Sequence, residues 1–251
     1  MLPRSISRFF KAIYTHPGEQ EYCRSQIINL VDRFVINKDP AQSLNILDLG
    51  CGQGKDLENI RKRWPGKKIS LYGVDCFAPN CQKAAENGVT VYNINIENTV
   101  IPVKDGYFDL VIANQIIEHT KEIFWVFSEV SRVLKKGGLL IVAVPNIASW
   151  HNRIRFLFGQ PPGSLELLGP HVRGIMRPSF ERLIQADGYF EIVAAKGSGF
   201  YPFPLGIAKI LCTVFTTCSV ALCFAIKRTA KEGRFIEVLN SRFFETPYFR
   251  G

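Results

Sequence analysis

The stretch ILDLGCGQGKD (residues 46–56) places an acid, Asp48, two residues ahead of three alternating glycines, Gly50, Gly52 and Gly54. Glycines in such a turn let the backbone approach a ligand closely and take positive φ. Backbone N–H groups freed at the turn can bind a carboxylate. A negative charge at Asp48 repels a phosphate and attracts an ammonium, directly or through water. A dinucleotide fingerprint spaces its glycines G-x-G-x-x-G, whereas the spacing here is G-x-G-x-G. The plain alternative is a tight turn without a ligand. A second acid argues against it. Asp75 closes the run KISLYGVD, at the place where an acid usually meets ribose hydroxyls. A ligand with an ammonium, a carboxylate and an adenosine is S-adenosylmethionine, which is the expected cofactor.

These residues need elements to hold them. NILDLG (45–50), KISLYGVD (68–75), VTVYNIN (89–95), YFDLVIAN (107–114) and LLIVAVPN (139–146) read as strands. Between them, 54–65, 78–88 and 121–138 read as helices; the last sets Ile123, Phe127, Val130 and Leu134 inward and carries Lys135 and Lys136 in its final turn. Strand alternating with helix means crossover units, a parallel sheet and helices on both faces. Continuous apolar runs fit strands buried on both sides. Ligands of such sheets bind beyond the carboxyl ends of the strands, which is where the glycine turn falls.

The flanks are less regular. Ile6, Phe9, Phe10, Ile13 and Tyr14 recur at helical spacing with Arg8 and Lys11 between them, a short basic amphipathic helix that either caps the site or touches a membrane surface. A second helix is expected over about 19–36. Residues 1–40 are thus N-terminal helices capping the site, 41–227 the cofactor-binding domain, 148–176 a variable substrate loop, and 228–251 a tail that is a packed extension or a partner-binding arm. Residues 210–226 are 17 without a charge, the lower limit for a span. Thr213, Thr216, Thr217 and Ser219 interrupt them, so a helix, a break and a buried strand at 219–227 are preferred.

Composition sets the outer limits. The chain has 251 residues, 47% hydrophobic, which suits one domain with a sizeable core. Its formal charge of +9 permits an acidic substrate, a membrane surface or a nucleic acid. No RNA-binding module is evident, and a nucleic-acid partner is not expected. The seven cysteines are odd in number and lack C-x-x-C spacing, against a disulfide framework or a zinc site; no metal is expected. The basic N-terminus does not read as a secretory signal, so a cytoplasmic, reducing setting is expected, with peripheral membrane contact left open.

The ordered set of motifs from about Ser43 to Lys227 resembles the class I S-adenosylmethionine-dependent methyltransferases, in particular the small-molecule group that modifies quinones, sugars and polyketides. ILDLGCGQG is similar to the family's glycine-rich motif, YGVD to its ribose-binding strand end, and NINIENTVIPVKDGYFDLVIANQIIEH to the segment running from the adenine contact to a Glu-His ending, Glu118-His119. EVSRVLKKGGLLIVAVPN and HVRGIMRPSFERLIQADGYFEI resemble its later helix and strands. The resemblance implies a doubly wound α/β fold with a seven-stranded, mostly parallel sheet whose last strand is antiparallel. It places cofactor contacts at Asp48, Gly50, Cys51, Gly52, Gly54, Asp75, Cys76, Asn95, Ile96 and Asn114. Asn95 stands where the family often has an adenine-binding Asp; a one-step slip would give that role to Glu97.

Methyl transfer from a sulfonium is an in-line displacement in which the protein supplies alignment and excludes water. A hydroxyl acceptor benefits from a general base. His119 is the candidate, with a structural hydrogen bond as the competing role. His151, His171, Arg173 and Tyr14 are the candidate acceptor-binding residues. The segment NQII (114–117) lacks the Asp/Asn-Pro-Pro-aromatic pattern expected for base-amino methylation, and none of the cysteines follows a proline. An S-adenosylmethionine-dependent methyltransferase acting on a small or lipid- or sugar-linked acceptor, at oxygen, is expected; a membrane-peripheral binding protein with a non-catalytic version of the fold is the alternative.

Overall fold

The computed structural model describes residues 23–36, 43–162, 165 and 167–251. The N-terminal stripe Ile6–Tyr14, and with it Tyr14 as an acceptor contact, lies outside the described residues.

Helix α1 (Arg24–Val31) continues into a π turn (Asp32–Ile36). Strand β1 (Leu44–Leu49), helix α2 (Lys55–Arg63), β2 (Ile69–Asp75), α3 (Ala78–Glu86), β3 (Thr90–Asn93) and β4 (Phe108–Asn114) follow in alternation. After β4 come α4 (Ile123–Val133), β5 (Leu134–Pro145), α5 (Trp150–Leu157), α6 (Arg177–Ile184), β6 (Phe190–Ser198), α7 (Leu205–Val214) and β7 (Ala221–Arg228). The sheet order is β3-β2-β1-β4-β5-β7-β6. Strands β1 to β5 pair in parallel, and β7 runs antiparallel to both β5 and β6.

The apolar runs divide by their period of two. In β5, Leu140, Val142 and Val144 face one core and Leu139, Ile141 and Ala143 the other. In β7, Leu222, Phe224 and Ile226 join the first core while Cys223 and Ala225 join the second. Helices α1, α2 and α3 cover the second core through Ile27, Val31, Leu57, Ile60 and Ala84. Helices α4 and α6 cover the first through Phe127, Val130 and Phe180. Both faces are dry, so a continuous run was needed where a one-sided sheet would alternate.

Two boundaries differ from the sequence reading, and a third division agrees with it. The helix expected over 121–138 stops at Val133, because Leu134 turns extended (φ −82°, ψ 132°) and pairs with Phe108 of β4. Lys135 donates to Asp109 Oδ1 at 2.7 Å, so it serves the sheet rather than a helix terminus. The strand expected to reach residue 95 ends at Asn93. Asn95 Oδ1 accepts the Glu97 N–H at 2.9 Å and turns the chain into a loop. Residues 210–226 divide among α7, a 3₁₀ turn (Thr216–Cys218) and β7. No helix among the described residues is long and apolar enough to cross a membrane.

The tail packs back onto α4. Phe235, fully buried, lies against Phe124, Phe127 and Phe190 with centroids 5.6–6.3 Å apart. Phe249 meets the Trp125 ring edge-on at 4.9 Å. Burial of one such aromatic contributes about 1.5–3 kcal/mol, enough to hold 235–249 as part of the first core's cover.

Candidate active site

The carboxyl ends of β1, β2 and β4 converge. Asp48 of β1 sits opposite Gly73 of β2 and Ile112 of β4. Beyond β1, Gly50, Gly52 and Gly54 all take positive φ (67°, 52° and 83°). A Cβ at Gly50 would strike Ile116 Cδ1 at 2.7 Å, so that glycine is needed for packing. A Cβ at Gly52 would meet nothing within 4 Å. That space is open to a ligand. Gly54 is the N-cap of α2.

Asp75 ties the turn to β2. Its Oδ2 accepts the Gly52 N–H at 2.9 Å and its Oδ1 the Phe77 N–H at 2.8 Å. Each oxygen keeps a lone pair for a hydroxyl. Asp48 is buried, and desolvation first, then the charge of Asp56, pushes its carboxyl well above the usual range, while Arg24 opposes the shift. An ammonium brought beside it would relieve that cost. Arg24 Nε bonds Asp56 Oδ1 at 2.9 Å, and Asn114 Nδ2 donates to Asp56 Oδ2 at 2.8 Å. This chain of contacts fixes Asn114 at the end of β4 with its own Oδ1 buried and unpartnered.

Several orphaned polar atoms gather after β4. Gln115 takes φ 54°, a strained value for a residue with a side chain, and its Nε2 is buried without a partner. Glu118 is 1% exposed and neither of its carboxylate oxygens has a hydrogen-bond partner. Burial pushes its pKa up to about 7. His119 follows in a single 3₁₀ turn (Ile117–His119), and its Nδ1 lies 3.1 Å from the Pro170 carbonyl. A carbonyl only accepts, so Nδ1 carries the proton and Nε2 keeps the lone pair.

The variable loop returns to this corner. Val172 N–H donates to the Glu118 carbonyl at 2.9 Å, and the rings of His171 and His119 stand edge to face at 4.7 Å. Arg173 donates through Nε and Nη2 to the carbonyls of Thr120 and Lys121. Its guanidinium therefore clamps backbone, with Nη1 left for a ligand. His119, His171 and Arg173 come together here. His151 has another set of contacts, Ser149 Oγ at 3.3 Å and the Tyr201 ring at 5.2 Å, and burial holds its pKa below the usual range.

Around the adenosine end, Cys51 is buried against Gly73, and burial pushes its thiol upward, so it stays neutral. Cys76 is exposed. Asn95 spends its carbonyl on Glu97 N–H, leaving its amide donors for a ligand. Glu97 Oε2 accepts the N–H groups of Lys121 and Glu122 at the start of α4, so it anchors a helix entry. Sequence reasoning quoted Glu118 in the segment ending Glu-His but gave it no role. The signal for it is burial, which no spacing of residue types reveals.

The donor set suits S-adenosylmethionine. Asp48 would meet the ammonium, the open space over Gly52 would admit the amino-acid tail, and Asp75 would meet the ribose. A sheet of this order, with a glycine turn after β1 and an acid closing β2, is the architecture of the class I S-adenosylmethionine-dependent methyltransferases. Residues 47–142 match the family described as "Methyltransferase domain".

The chain is similar to a ubiquinone biosynthesis O-methyltransferase of a Chelativorans species, 28% identical over 136 residues, 52% of each chain. It is also similar to a trans-aconitate 2-methyltransferase of Afipia carboxidovorans, 30% identical over 107 residues, 42% of this chain and 40% of that one. The chain spans about half or less of the length of the curated relatives it matches here. Among solved structures, the plantazolicin methyltransferase BpumL, in complex with a desmethyl analogue and SAH, superposes with a TM-score of 0.59 at 17% identity over 88% of this chain and 90% of that one, a likeness of fold.

Proposed function

We propose that this chain transfers a methyl group from S-adenosylmethionine to an oxygen of a small or lipid- or sugar-linked acceptor. The observation that carries the donor half is the Gly52–Asp75 bond, which sets an open glycine turn and a ribose-ready carboxylate on one rigid frame. The bound cofactor supplies an electrophilic methyl on sulfur. The chain's own residues orient that methyl and receive the acceptor. The C–O bond forms as the S–C bond breaks, the sulfonium becoming a neutral thioether. The acceptor's hydroxyl proton passes to His119 Nε2, whose ring is held by the Pro170 carbonyl at Nδ1. This seats the acceptor at the end of β4, beside Arg173 Nη1.

Calorimetric titration with S-adenosylmethionine and with its demethylated product tests the donor half. Binding of both in the micromolar range is expected, and no binding at millimolar ligand defeats the proposal. Mass spectrometry of products formed with methyl-labelled cofactor, in extracts divided into lipids, glycans and small metabolites, then reads the acceptor.

A second reading concerns where the acceptor is met. On α7, Ile207, Ile210 and Val214 are 51%, 67% and 66% exposed, with Lys209 among them. On and after α5, Phe156, Leu157 and Phe158 are exposed beside Arg153 and Arg155. Such faces suit shallow contact with an anionic bilayer. Co-sedimentation with anionic vesicles checks this; Ile210→Asp together with Val214→Asp is expected to release the protein, and equal pelleting of both forms rejects the reading.

A further inference from the structure

We propose that the chain rests on an anionic bilayer with the carboxyl edge of its sheet turned to the lipid, and that its acceptor is a hydroxyl-headed lipid methylated while its tail stays in the leaflet. The orientation deepens the bilayer reading above; the acceptor class rests on the methyl-transfer reading as well.

Strand register puts the apolar surface and the site on one edge. Pro145 ends β5 opposite Ala221, where β7 begins, and Ala221 lies opposite Ser198, where β6 ends. One strand further in, Asn114 closes β4 opposite Ala143. Helix α5 and the loop to Ile175 leave from Pro145, and α7 spans the gap from Ser198 to Ala221. Both therefore rise from the edge that carries the glycine turn and His119. They are also joined to each other there. Asn146 Nδ2 donates to the carbonyls of Thr217 and Ser219, and the His151 ring meets the Tyr201 ring at 5.2 Å.

Most of the large apolar side chains left exposed among the described residues come from these two segments. Trp150, Ile154, Leu157 and Phe158 recur at helical spacing, so they share one face of α5. On α7 the exposed face stands opposite the buried Ala208 and Cys212. The loop adds Leu167 and Leu168, both fully exposed. Single exposed apolar residues are ordinary, but a surface gathered from three segments marks a contact. Charge selects the partner. Residues 199–219 hold Lys209 and no acid, while 147–176 hold Arg153, Arg155 and Arg173 against one acid, Glu166. An apolar surface rimmed with cations fits an anionic leaflet.

The same loop carries the acceptor corner. Pro170, two residues after Leu168, holds His119 Nδ1, and the exposed Val172 donates its N–H to the Glu118 carbonyl. A loop tip seated in the leaflet thus brings the base to the headgroup layer. Interfacial elements lie about 5–10 Å into the boundary between headgroups and acyl chains, so a hydroxyl carried at that level reaches His119 Nε2 without its tail entering water. The bond changes are those given above, with the methyl passing from sulfur to the lipid's oxygen and the hydroxyl proton to His119 Nε2.

The test uses the full chain and vesicles of equimolar phosphatidylcholine and phosphatidylglycerol, with bromine on the acyl chains in a parallel set. Of the three tryptophans, Trp150 lies on the α5 face, Trp125 is buried, and Trp64 sits at the opposite edge, between α2 and the start of β2. Pelleting with the vesicles, bromine quenching of the wild type, and loss of most of that quenching in Trp150→Phe are expected. Leu167→Asp together with Leu168→Asp should weaken pelleting about tenfold or more, with S-adenosylmethionine affinity unchanged in calorimetry. Pelleting without quenching, or quenching that survives Trp150→Phe, overturns the orientation while the bilayer reading stands; no pelleting removes both. Methyl-labelled cofactor is then supplied with extract whose lipid fraction is reconstituted as vesicles. Label in the lipid fraction, lost with the paired Asp variant, is expected. Label among glycans or small metabolites overturns the lipid acceptor, and no label in any fraction removes it together with the methyl-transfer reading.

Discussion

The Gly52 N–H donates to Asp75 Oδ2 across 2.9 Å, joining the turn after β1 to the end of β2. One carboxylate therefore shapes the glycine turn and, in the proposed binding mode, meets the ribose. Asp75→Ala is expected to lower cofactor affinity by about 10–100-fold, the loss of one charged hydrogen-bonding group, and also to loosen the turn. Asp75→Asn keeps one carbonyl acceptor and should lose less. Calorimetry on both variants separates the two effects.

Gly50 and Gly52 predict different balances of stability and binding. Gly50→Ala drives a Cβ to 2.7 Å from Ile116 and should lower the unfolding free energy by about 1–3 kcal/mol. A Cβ at Gly52 meets no protein atom, so the stability cost of Gly52→Ala is limited to the positive φ, about 1–2 kcal/mol. Gly52→Val should nevertheless abolish cofactor binding. Denaturant unfolding and calorimetry, run side by side, check the contrast.

Asp48 links pH to stability. Its folded pKa is raised, so the unfolded chain ionises first as pH climbs above about 4. Stability contributed by the protonated carboxyl is then lost until pH passes the folded value. Asp48→Asn should leave the melting temperature near wild type at pH 4 and raise it at pH 8, by about 2–4 °C per kcal/mol recovered. The same variant should bind S-adenosylmethionine more weakly at pH 8, because the ammonium has lost its charged partner. A melting temperature that falls at pH 8 contradicts this.

Arg132 is a stability element apart from the site. It bonds Glu129 through Nε and Nη2, Asp105 through Nη1, and the carbonyls of Ile101 and Val103. Arg132→Ala leaves Glu129 buried and uncompensated, and should destabilise by about 3–5 kcal/mol. Cofactor affinity at a temperature where the variant remains folded should not change.

The glycine turn and its bond to the end of β2 were legible because the residues that form them are local. Asp48 and the three glycines lie within seven residues, and Asp75 closes the next strand. The central strands β1, β4, β5 and β7 were legible because burial on both faces writes itself as continuous apolar runs. The acceptor corner was not. Glu118 and His171 are 53 positions apart, and only the return of the loop across Thr120 brings them together. Arg173 reads in sequence as an acceptor-binding residue, and the structure shows it gripping the carbonyls of Thr120 and Lys121. The end of α4 was misplaced for a similar reason. Leu134 and Lys135 carry ordinary helix propensity, but Phe108 and Asp109 across the sheet claim them.

Cys76 gives the fold a built-in gauge. Of the seven thiols, five are buried, Cys218 is half-buried and Cys76 alone is exposed, directly after the carboxylate that faces the ribose. A mild alkylating reagent would therefore mark one side chain first, at a rate set by whatever shields it. Occupancy of the donor pocket becomes readable by intact mass, without turnover and before any acceptor is known. Compounds could be ranked by how far they slow that single modification.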